Sequence, residues 1–366
     1  MISRDEKWMA KALQLARKGQ RRVSPNPLVG AVVVRGGRKI SEGYHAYFGG
    51  EHAESRALRK AGWRARGATL YVTLEPCSSW GKTPPCVDRV LSSRVGRVVI
   101  GSLDPNPQNH RLGTRRLKQA GIQVQYGILA QEVEKQNEAF FKRMRTGFPF
   151  VTLKMAQSLD GKIATSQGES RWISSEISRA FVHRLRSEAD AVLVGKNTAL
   201  QDNPRLQAFN RAPKPWRIVL DPQLELSPKS RVFQGTPLTF IATSEAKMVQ
   251  IRENHFPKGH VLIPLPMKGR HLDLSILLRQ LCSLGVNHLL AEGGGELAWS
   301  LIEGGWVDRL IWIVAPKIIG GRDTKTSVEG TGIKKLKRAF SLQWKKVYSS
   351  GEDWIFEARF SCLRAS

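Results

Sequence analysis

The sequence predicts an α/β protein of two domains. Strand-like apolar runs alternate with amphipathic helical stretches along the chain. Its 366 residues exceed one typical domain and suit two. The breaker run Thr146-Gly147-Phe148-Pro149 interrupts the alternation, which then restarts. The expected domains are 1–146 and 147–366.

Residues 4–19 read as a helix with the apolar stripe Trp8, Met9, Ala12, Leu13, Leu15 and Ala16. Ser24-Pro25-Asn26-Pro27 turns the chain into a strand over 28–34, which stops at Gly36-Gly37. Gly49-Gly50 precedes His52, and 53–61 is helical. A buried strand over 69–74 runs directly into Glu75-Pro76-Cys77. A helix over 87–93 leads to a strand over 97–100; 111–120 and the polar, basic 131–145 are helices. In the second half, 150–156, 191–194, 217–220, 288–291 and 310–314 read as strands, and 175–187 and 296–303 as helices. The expected result is a sandwich of helices on mixed or parallel sheets.

The bulk numbers exclude some classes. No apolar run reaches the roughly 18 residues of a membrane span, and no apolar signal core follows the charged N-terminus. A cytoplasmic location with no membrane partner is expected. Four cysteines are too few for a disulfide scaffold; Cys282 lies in the apolar-periodic run 276–284 and reads as core, and Cys362 sits in a tail. The net charge of +27 is spread along the chain. It reads as a solvated basic surface or as attraction to polyanions, and no block is long enough for a nucleic-acid tail.

The chemistry concentrates in His52-Ala53-Glu54, Pro76-Cys77 and Pro84-Pro85-Cys86. One imidazole and two thiolates can hold a zinc ion and leave its fourth position for water, with the nearby Glu54 to move protons. Pro84-Pro85 pre-sets a helix start, so Cys86 lies at a positive helix end that favours a thiolate. At the first turn of their own helix, His52 and Glu54 can both face the site. His-x-Glu alone is weak, and so is a cysteine pair with eight residues between; together they are strong. The constellation implies hydrolytic removal of an exocyclic amine from a nucleobase-like ring.

The runs Gly43-Tyr44-His45, Gly49-Gly50-Glu51-His52-Ala53-Glu54 and Thr73-Leu74-Glu75-Pro76-Cys77-Ser78-Ser79-Trp80-Gly81-Lys82-Thr83-Pro84-Pro85-Cys86 resemble the bifunctional deaminase–reductase family of riboflavin biosynthesis. Ser24-Pro25-Asn26-Pro27-Leu28-Val29-Gly30 and Asp104-Pro105-Asn106-Pro107 match it too. The resemblance implies a cytidine-deaminase-like three-layer α/β/α first domain. It implies His52, Cys77 and Cys86 as zinc ligands, Glu54 as the catalytic proton shuttle, and Asn26 and His45 beside the bound ring.

Taken alone, the second half offers only a glycine turn, Gly293-Gly294-Gly295, after a strand; without G-x-G-x-x-G it supports no dinucleotide fingerprint. The resemblance continues through Leu153–Ala164, Gly168-Glu169-Ser170-Arg171-Trp172-Ile173-Ser174, Leu185-Arg186, Gly195-Lys196-Asn197-Thr198, Asp202-Asn203-Pro204-Arg205-Leu206 and Glu292-Gly293-Gly294. It implies a dihydrofolate-reductase-like α/β domain that uses NADPH. Ala156, Trp172, Thr198, Asp202, Gly294 and Gly295 would contact the cofactor, and Ser170, Arg186, Leu206 and Glu292 the substrate. Lys154 would lie near the ribose being reduced.

The implied function is zinc-dependent deamination of 2,5-diamino-6-ribosylamino-4(3H)-pyrimidinone 5′-phosphate, followed by NADPH reduction of the ribosyl group to ribityl. The expected partner is this small phosphorylated pyrimidine, not nucleic acid, and the expected assembly a homo-oligomer (dimer or tetramer). Two departures stand out. Phe209 occupies the place of an arginine expected on the 5′-phosphate, which raises the alternative of a deaminase with a degenerate second domain. Gln108-Asn109-His110-Arg111 replaces a small-residue/Gly-Lys-Gly run, a change expected to affect a loop more than chemistry. A nucleic-acid base deaminase is the third reading, motivated by the charge.

Overall fold

The computed structural model describes residues 2–208, 214–250 and 260–361. It divides into two compact units, Met1–Phe148 and Pro149–Ser366.

In the first unit the elements run α1 (Arg4–Ala16), β1 (Gly30–Arg35), β2 (Arg38–Tyr44), α2 (Ala53–Ala61), β3 (Thr69–Leu74), α3 (Cys86–Ser92), β4 (Arg97–Ser102), α4 (Leu112–Gln119), β5 (Gln123–Tyr126), α5 (Ala130–Gln136) and α6 (Glu138–Thr146). Ser3 starts α1 with a capping box to Glu6. The strands form one sheet in the order β2-β1-β3-β4-β5. Their period-2 alternation fills two cores. Ala31, Val33, Leu70, Val72, Val98 and Ile100 face α2, α3 and α4, while Val32, Val34, Tyr71 and Val99 face Met9, Ala12 and Leu15 of α1. A sheet with an apolar core on each face is the three-layer α/β/α arrangement.

Three local outcomes differ from the sequence reading. β2 is an additional edge strand; its polar run Arg38-Lys39-Ile40-Ser41-Glu42 hides the alternation, and the positive φ of Gly36 and Gly37 closes the hairpin. The expected helix 131–145 is two helices. Asn137 breaks it because its side chain accepts from Leu28 N–H (2.7 Å) and donates to Leu28 O (3.1 Å). The short strand β5 also lies outside the expected set.

In the second unit the order is β6 (Phe150–Ser158), α7 (Glu176–Glu188), β7 (Ala191–Gly195), α8 (Lys196–Asp202), β8 (Trp216–Leu220), β9 (Thr239–Ser244), α9 (Glu245–Val249), β10 (His260–Leu265), β11 (Met267–Lys268), β12 (His271–Leu272), α10 (Leu274–Ser283), β13 (His288–Glu292), α11 (Gly295–Glu303), β14 (Arg309–Ala315), β15 (Leu342–Ser350) and β16 (Asp353–Phe360). Its main sheet has nine strands in the order β10-β9-β8-β7-β13-β6-β14-β16-β15. Neighbours from β10 to β14 are parallel, and β16 and β15 close the sheet antiparallel. Every residue of the central strand β13 is buried, as a strand covered on both faces requires. The final hairpin escaped the sequence reading because β15 is an exposed edge strand of mixed composition, Leu342-Gln343-Trp344-Lys345-Lys346.

Where β13 begins, the buried His288 ring accepts or donates at both nitrogens: Nε2 meets Thr152 Oγ1 at 2.8 Å and Nδ1 meets the Glu188 carbonyl at 3.2 Å. The carbonyl requires an Nδ1–H, so the neutral ring accepts from Thr152. Burial and the nearby Arg309 hold this imidazole down at about 3, against an ordinary 6.5. The unfolded chain therefore takes up the proton first, and stability falls as pH drops from about 6.5 towards about 3. Between about pH 7 and about pH 5 this group should remove roughly 2 kcal/mol of denaturant-measured stability. A His288→Gln variant should lose that part of the dependence; an unchanged pH profile would show that His288 is not its source.

Candidate active sites

In the first unit, a strand end and two helix starts converge. β3 ends at Leu74, and the turn Glu75-Pro76-Cys77 leaves the carboxyl end of the sheet. His52 is the N-cap of α2 in extended conformation, and Cys86 is the first residue of α3 after the N-cap Pro85. His52 Nδ1 stands 3.0 Å from Cys86 Sγ and 3.7 Å from Cys77 Sγ, and all three ligand atoms lie within 4.8 Å of one another. Tetrahedral zinc bonds imply donor separations of roughly 3.5–3.8 Å, so small shifts in the donors meet the need.

Cys86 N–H donates to Cys77 Sγ at 3.4 Å. A hydrogen bond from the Cys86 thiol holds Cys77 down at about 4, and the same bond, with burial, pushes Cys86 up. A divalent cation held by the pair would displace a thiol proton. With Nδ1 turned to the sulfurs, His52 Nε2 faces Thr83 Oγ1 at 3.4 Å.

Glu54 lies in the first turn of α2 and is 3% exposed. Its Oε2 is buried with no hydrogen-bond partner, and burial pushes its carboxyl up. Such an orphaned oxygen beside three soft and borderline donors fits a metal site with a bound water or substrate. His45 packs edge-on to His52, with ring centroids 5.1 Å apart. Its Nδ1 meets the Glu51 carbonyl at 3.2 Å, which puts the proton there, so Nε2 accepts from Asn26 Nδ2 at 3.1 Å. That leaves Asn26 Oδ1 as the acceptor of the pair. The structure thus brings Asn26, His45, His52, Glu54, Cys77 and Cys86 together.

In the second unit, a cleft of about 850 Å³ opens at the carboxyl ends of β6, β7 and β13, where parallel sheets place their ligands. Lys154 and Ala156 enter it from β6, and Glu292 ends β13 beside Lys154 in register. Arg186 comes from α7, Thr198 and Asp202 from α8, and Ser170, Trp172 and Leu206 from the adjoining loops. Gly294 is the N-cap of α11 and Gly295 its first residue. A Cβ on Gly294 would meet only Ile163 at 4.0 Å, whereas one on Gly295 would collide with Thr326 and Glu329. Gly294 therefore leaves open cleft for a cofactor, and Gly295 admits a crossing segment.

The cleft floor is an ion triad. Arg186 binds Glu292 through Nε (2.6 Å) and Nη2 (2.9 Å), and Lys154 Nζ stands 3.9 Å from the same carboxylate. Burial works against the Glu292 charge, but Arg186 outweighs it and holds the carboxyl below its usual range. Burial lowers Lys154, with Glu292 opposing. Ser170 Oγ donates to Asp202 at 2.5 Å, which joins an expected substrate contact to an expected cofactor contact.

The sequence reading gave no role to Thr83 or Glu75, although both stand inside the quoted motif. Buried neighbours cannot be read from spacing alone. The departing run 108–111 is a loop: Asn109 Oδ1 accepts from Ser79 Oγ (2.9 Å), His110 Nδ1 donates to the Asp104 carbonyl (2.8 Å), and Arg111 has φ +60°. Phe209, Arg211 and Cys362 lie outside the described residues.

Comparison with known proteins matches both halves. The family described as "Cytidine and deoxycytidylate deaminase zinc-binding region" matches residues 2–102, and "RibD C-terminal domain" matches residues 149–356. The riboflavin biosynthesis protein RibD of Escherichia coli (strain K12) is 40% identical over 363 residues, covering 95% of this chain and 97% of its own. That of Aquifex aeolicus (strain VF5) is 41% identical over 358 residues, covering 96% and 97%. Among solved structures, Acinetobacter baumannii RibD (form 2) superposes with TM-score 0.88 at 30% identity, covering 98% of this chain and 99% of that one. A diaminohydroxyphosphoribosylaminopyrimidine deaminase/5-amino-6-(5-phosphoribosylamino)uracil reductase from Thermotoga maritima gives 0.85 at 36% identity, covering 98% and 99%.

Removing the triad's carboxylate should be costly. Glu292→Ala leaves Arg186 charged and buried without its partner, and should cost about 3–5 kcal/mol in denaturant unfolding. A loss below about 1 kcal/mol would mean that water replaces the carboxylate and the triad does not hold the cleft floor.

Proposed function

The chain belongs to the family of the riboflavin biosynthesis protein RibD, a zinc-dependent deaminase joined to an NADPH-dependent reductase, and from that premise we propose which of its residues carry each reaction. The deaminase removes the amine of 2,5-diamino-6-ribosylamino-4(3H)-pyrimidinone 5′-phosphate; the reductase converts the ribosyl group of the product to ribityl. The proposal assigns the first reaction to residues 1–146 and the second to 147–366. The single observation that carries it is the closing of His52, Cys77 and Cys86 to within 4.8 Å around the orphaned Glu54 carboxylate.

His52 Nδ1 and the sulfurs of Cys77 and Cys86 would hold the zinc, which when bound supplies the Lewis acidity that makes water a nucleophile near neutral pH. Glu54 stays out of the ligand set. Its buried carboxyl, pushed up by burial, would take one proton from the attacking water and pass it to the ring nitrogen, then take the second from the hydroxyl left on the ring carbon and pass it to the leaving amine. Asn26 and His45, locked together, orient the ring. Asn26 Oδ1 faces it as an acceptor, which suits an amine-bearing pyrimidine.

In the second unit NADPH, when bound, supplies the hydride. Gly294, Gly295, Ala156, Trp172, Thr198 and Asp202 would seat it. Ser170, Arg186, Leu206 and Glu292 would hold the substrate. Lys154 would stand at the ribose, its ammonium kept beside Glu292. The described part of the cleft is complete in these residues, which favours a working reductase over a degenerate one. The reading also carries a cytoplasmic homo-oligomer, dimer or tetramer, without nucleic acid. The edge strand β15, with Trp344 and Val347 exposed, supports self-association. Among the described residues no helix is long and apolar enough to cross a membrane.

A single preparation tests the reading. Purified protein should hold about one zinc per chain, release ammonia from the diamino substrate and oxidise NADPH once the deaminated product forms. Cys77→Ser or Cys86→Ser should lose metal and ammonia release together. Glu54→Gln should keep zinc while its turnover falls roughly 10²–10⁴-fold. Full deaminase activity in metal-free wild type would sink the metal assignment; ammonia release without any NADPH oxidation would restore the degenerate-reductase alternative.

A further inference from the structure

Glu75 is given no part in either reaction above, yet its carboxylate is almost completely buried and is held by backbone donors. Oε1 accepts Thr114 N–H at 2.8 Å, and Oε2 accepts Arg111 N–H at 3.0 Å and Asp104 N–H at 3.2 Å. Arg111 is the N-cap of α4, and no side chain of its own caps that helix. Glu75 caps it from the turn after β3, accepting the N–H groups of the N-cap and of the third helical residue. Its own N–H donates to Ser102 O at 3.0 Å, tying it to the end of β4.

These bonds grip the chain two residues before Cys77. Two further features hold the same turn. The α4 residue Gly113 lies against the Pro76 carbonyl so closely that a Cβ there would collide. Past Cys77, Ser79 Oγ donates to Asn109 Oδ1 at 2.9 Å. The turn carrying Cys77 is therefore fixed on both sides to the loop 104–111 and the start of α4.

We propose that Glu75 is the positioning residue for Cys77: by capping α4 across the sheet end, it holds the Cys77 thiolate where His52 and Cys86 can share a zinc ion with it. The proposal rests on the deaminase reading above. A carboxylate is required, since both oxygens accept backbone N–H groups. Glutamine has the same size but must turn an NH₂ towards Thr114 N–H or towards the Arg111/Asp104 pair. Aspartate falls one methylene short.

The test uses the full-length zinc-loaded protein. Zinc transfer to a chromophoric chelator is followed alongside ammonia release and NADPH oxidation with deaminated substrate supplied. Glu75→Gln should release zinc roughly 10–100-fold faster and lose deaminase kcat, which excess zinc restores. NADPH oxidation on the same chain should be unchanged. Thr114→Val, which removes only a hydroxyl that has no partner and leaves the backbone donor, should match wild type. If Glu75→Gln does not fold, Thr114→Pro removes the shortest of the three donors, a first-turn N–H that α4 itself does not need, and should also speed zinc release. Wild-type zinc release in the folded glutamine variant, or in Thr114→Pro if that alone folds, would overturn the proposal. So would a kcat that excess zinc fails to restore. Wild-type protein that neither holds zinc nor releases ammonia would instead overturn the deaminase reading, and is measured first.

Discussion

Each unit buries a carboxylate at the carboxyl end of a parallel strand, and the chemistry of each is built around how that charge is matched. Leaving such a group unmatched would cost several kcal/mol. Glu75 follows β3 and is matched by three backbone N–H groups. Glu292 ends β13 and is matched by the Arg186 fork, with Lys154 nearby. The two solutions produce different sites. Backbone donors fix a loop and bring no mobile charge, which suits a turn that must present a metal ligand. Side-chain cations carry charge into the cleft, which suits the binding of phosphorylated molecules. Glu54 is the contrast: its buried oxygen has no partner, and that unmet need suits the proton-carrying role proposed for it.

Much of this was legible in the sequence, for identifiable reasons. The buried strands β3, β4, β7 and β13 are short apolar runs bounded by breakers, and burial on both faces leaves little ambiguity. The clustering of His52, Cys77 and Cys86 was legible because a histidine and two cysteines at helix starts and a strand end have few other reasons to occur together. Edge strands escaped for a physical reason, although the buried inner strand β9 went unread as well. β2 and β15 face solvent, so their composition is polar and basic, and nothing in an alternation count separates them from loops. Asn137 escaped because its partner, Leu28, is 109 residues away, and local periodicity carries no information about such a contact. Glu75 and Thr83 were visible as letters in a motif, but their contacts, backbone N–H groups for Glu75 and the His52 ring for Thr83, depend on the folded chain.

The departing loop 108–111 shows why a substituted motif need not break a fold. Arg111 occupies the left-handed region, where a side chain is disfavoured relative to glycine. The Glu75 carboxylate accepts its N–H, Asn109 takes up Ser79, and His110 bonds Asp104 O. The residues that replace a glycine-rich run thus supply side-chain bonds to the neighbouring segments, and the loop keeps its place beside the metal ligands.

The same logic bears on Phe209 and on the +27 charge. An arginine on a phosphate contributes roughly 1.5–3 kcal/mol through charge-assisted bonds. Arg186 cannot simply take over that role, because Glu292 already neutralises it. The cleft lining nevertheless includes Arg171, Arg179, Lys196, Arg205, Arg231 and Lys325, against the acids Asp202, Glu296 and Glu329. A concave, low-dielectric wall with one sign of charge in excess focuses potential onto its ligands without a dedicated contact. The two ligands proposed for this cleft both carry phosphate groups, so a basic surplus would raise their local concentration together. A general positive field is less specific than one arginine fork and more sensitive to salt, but it does not depend on any single residue, and the loss of one arginine is therefore a smaller change here than in a neutral cleft.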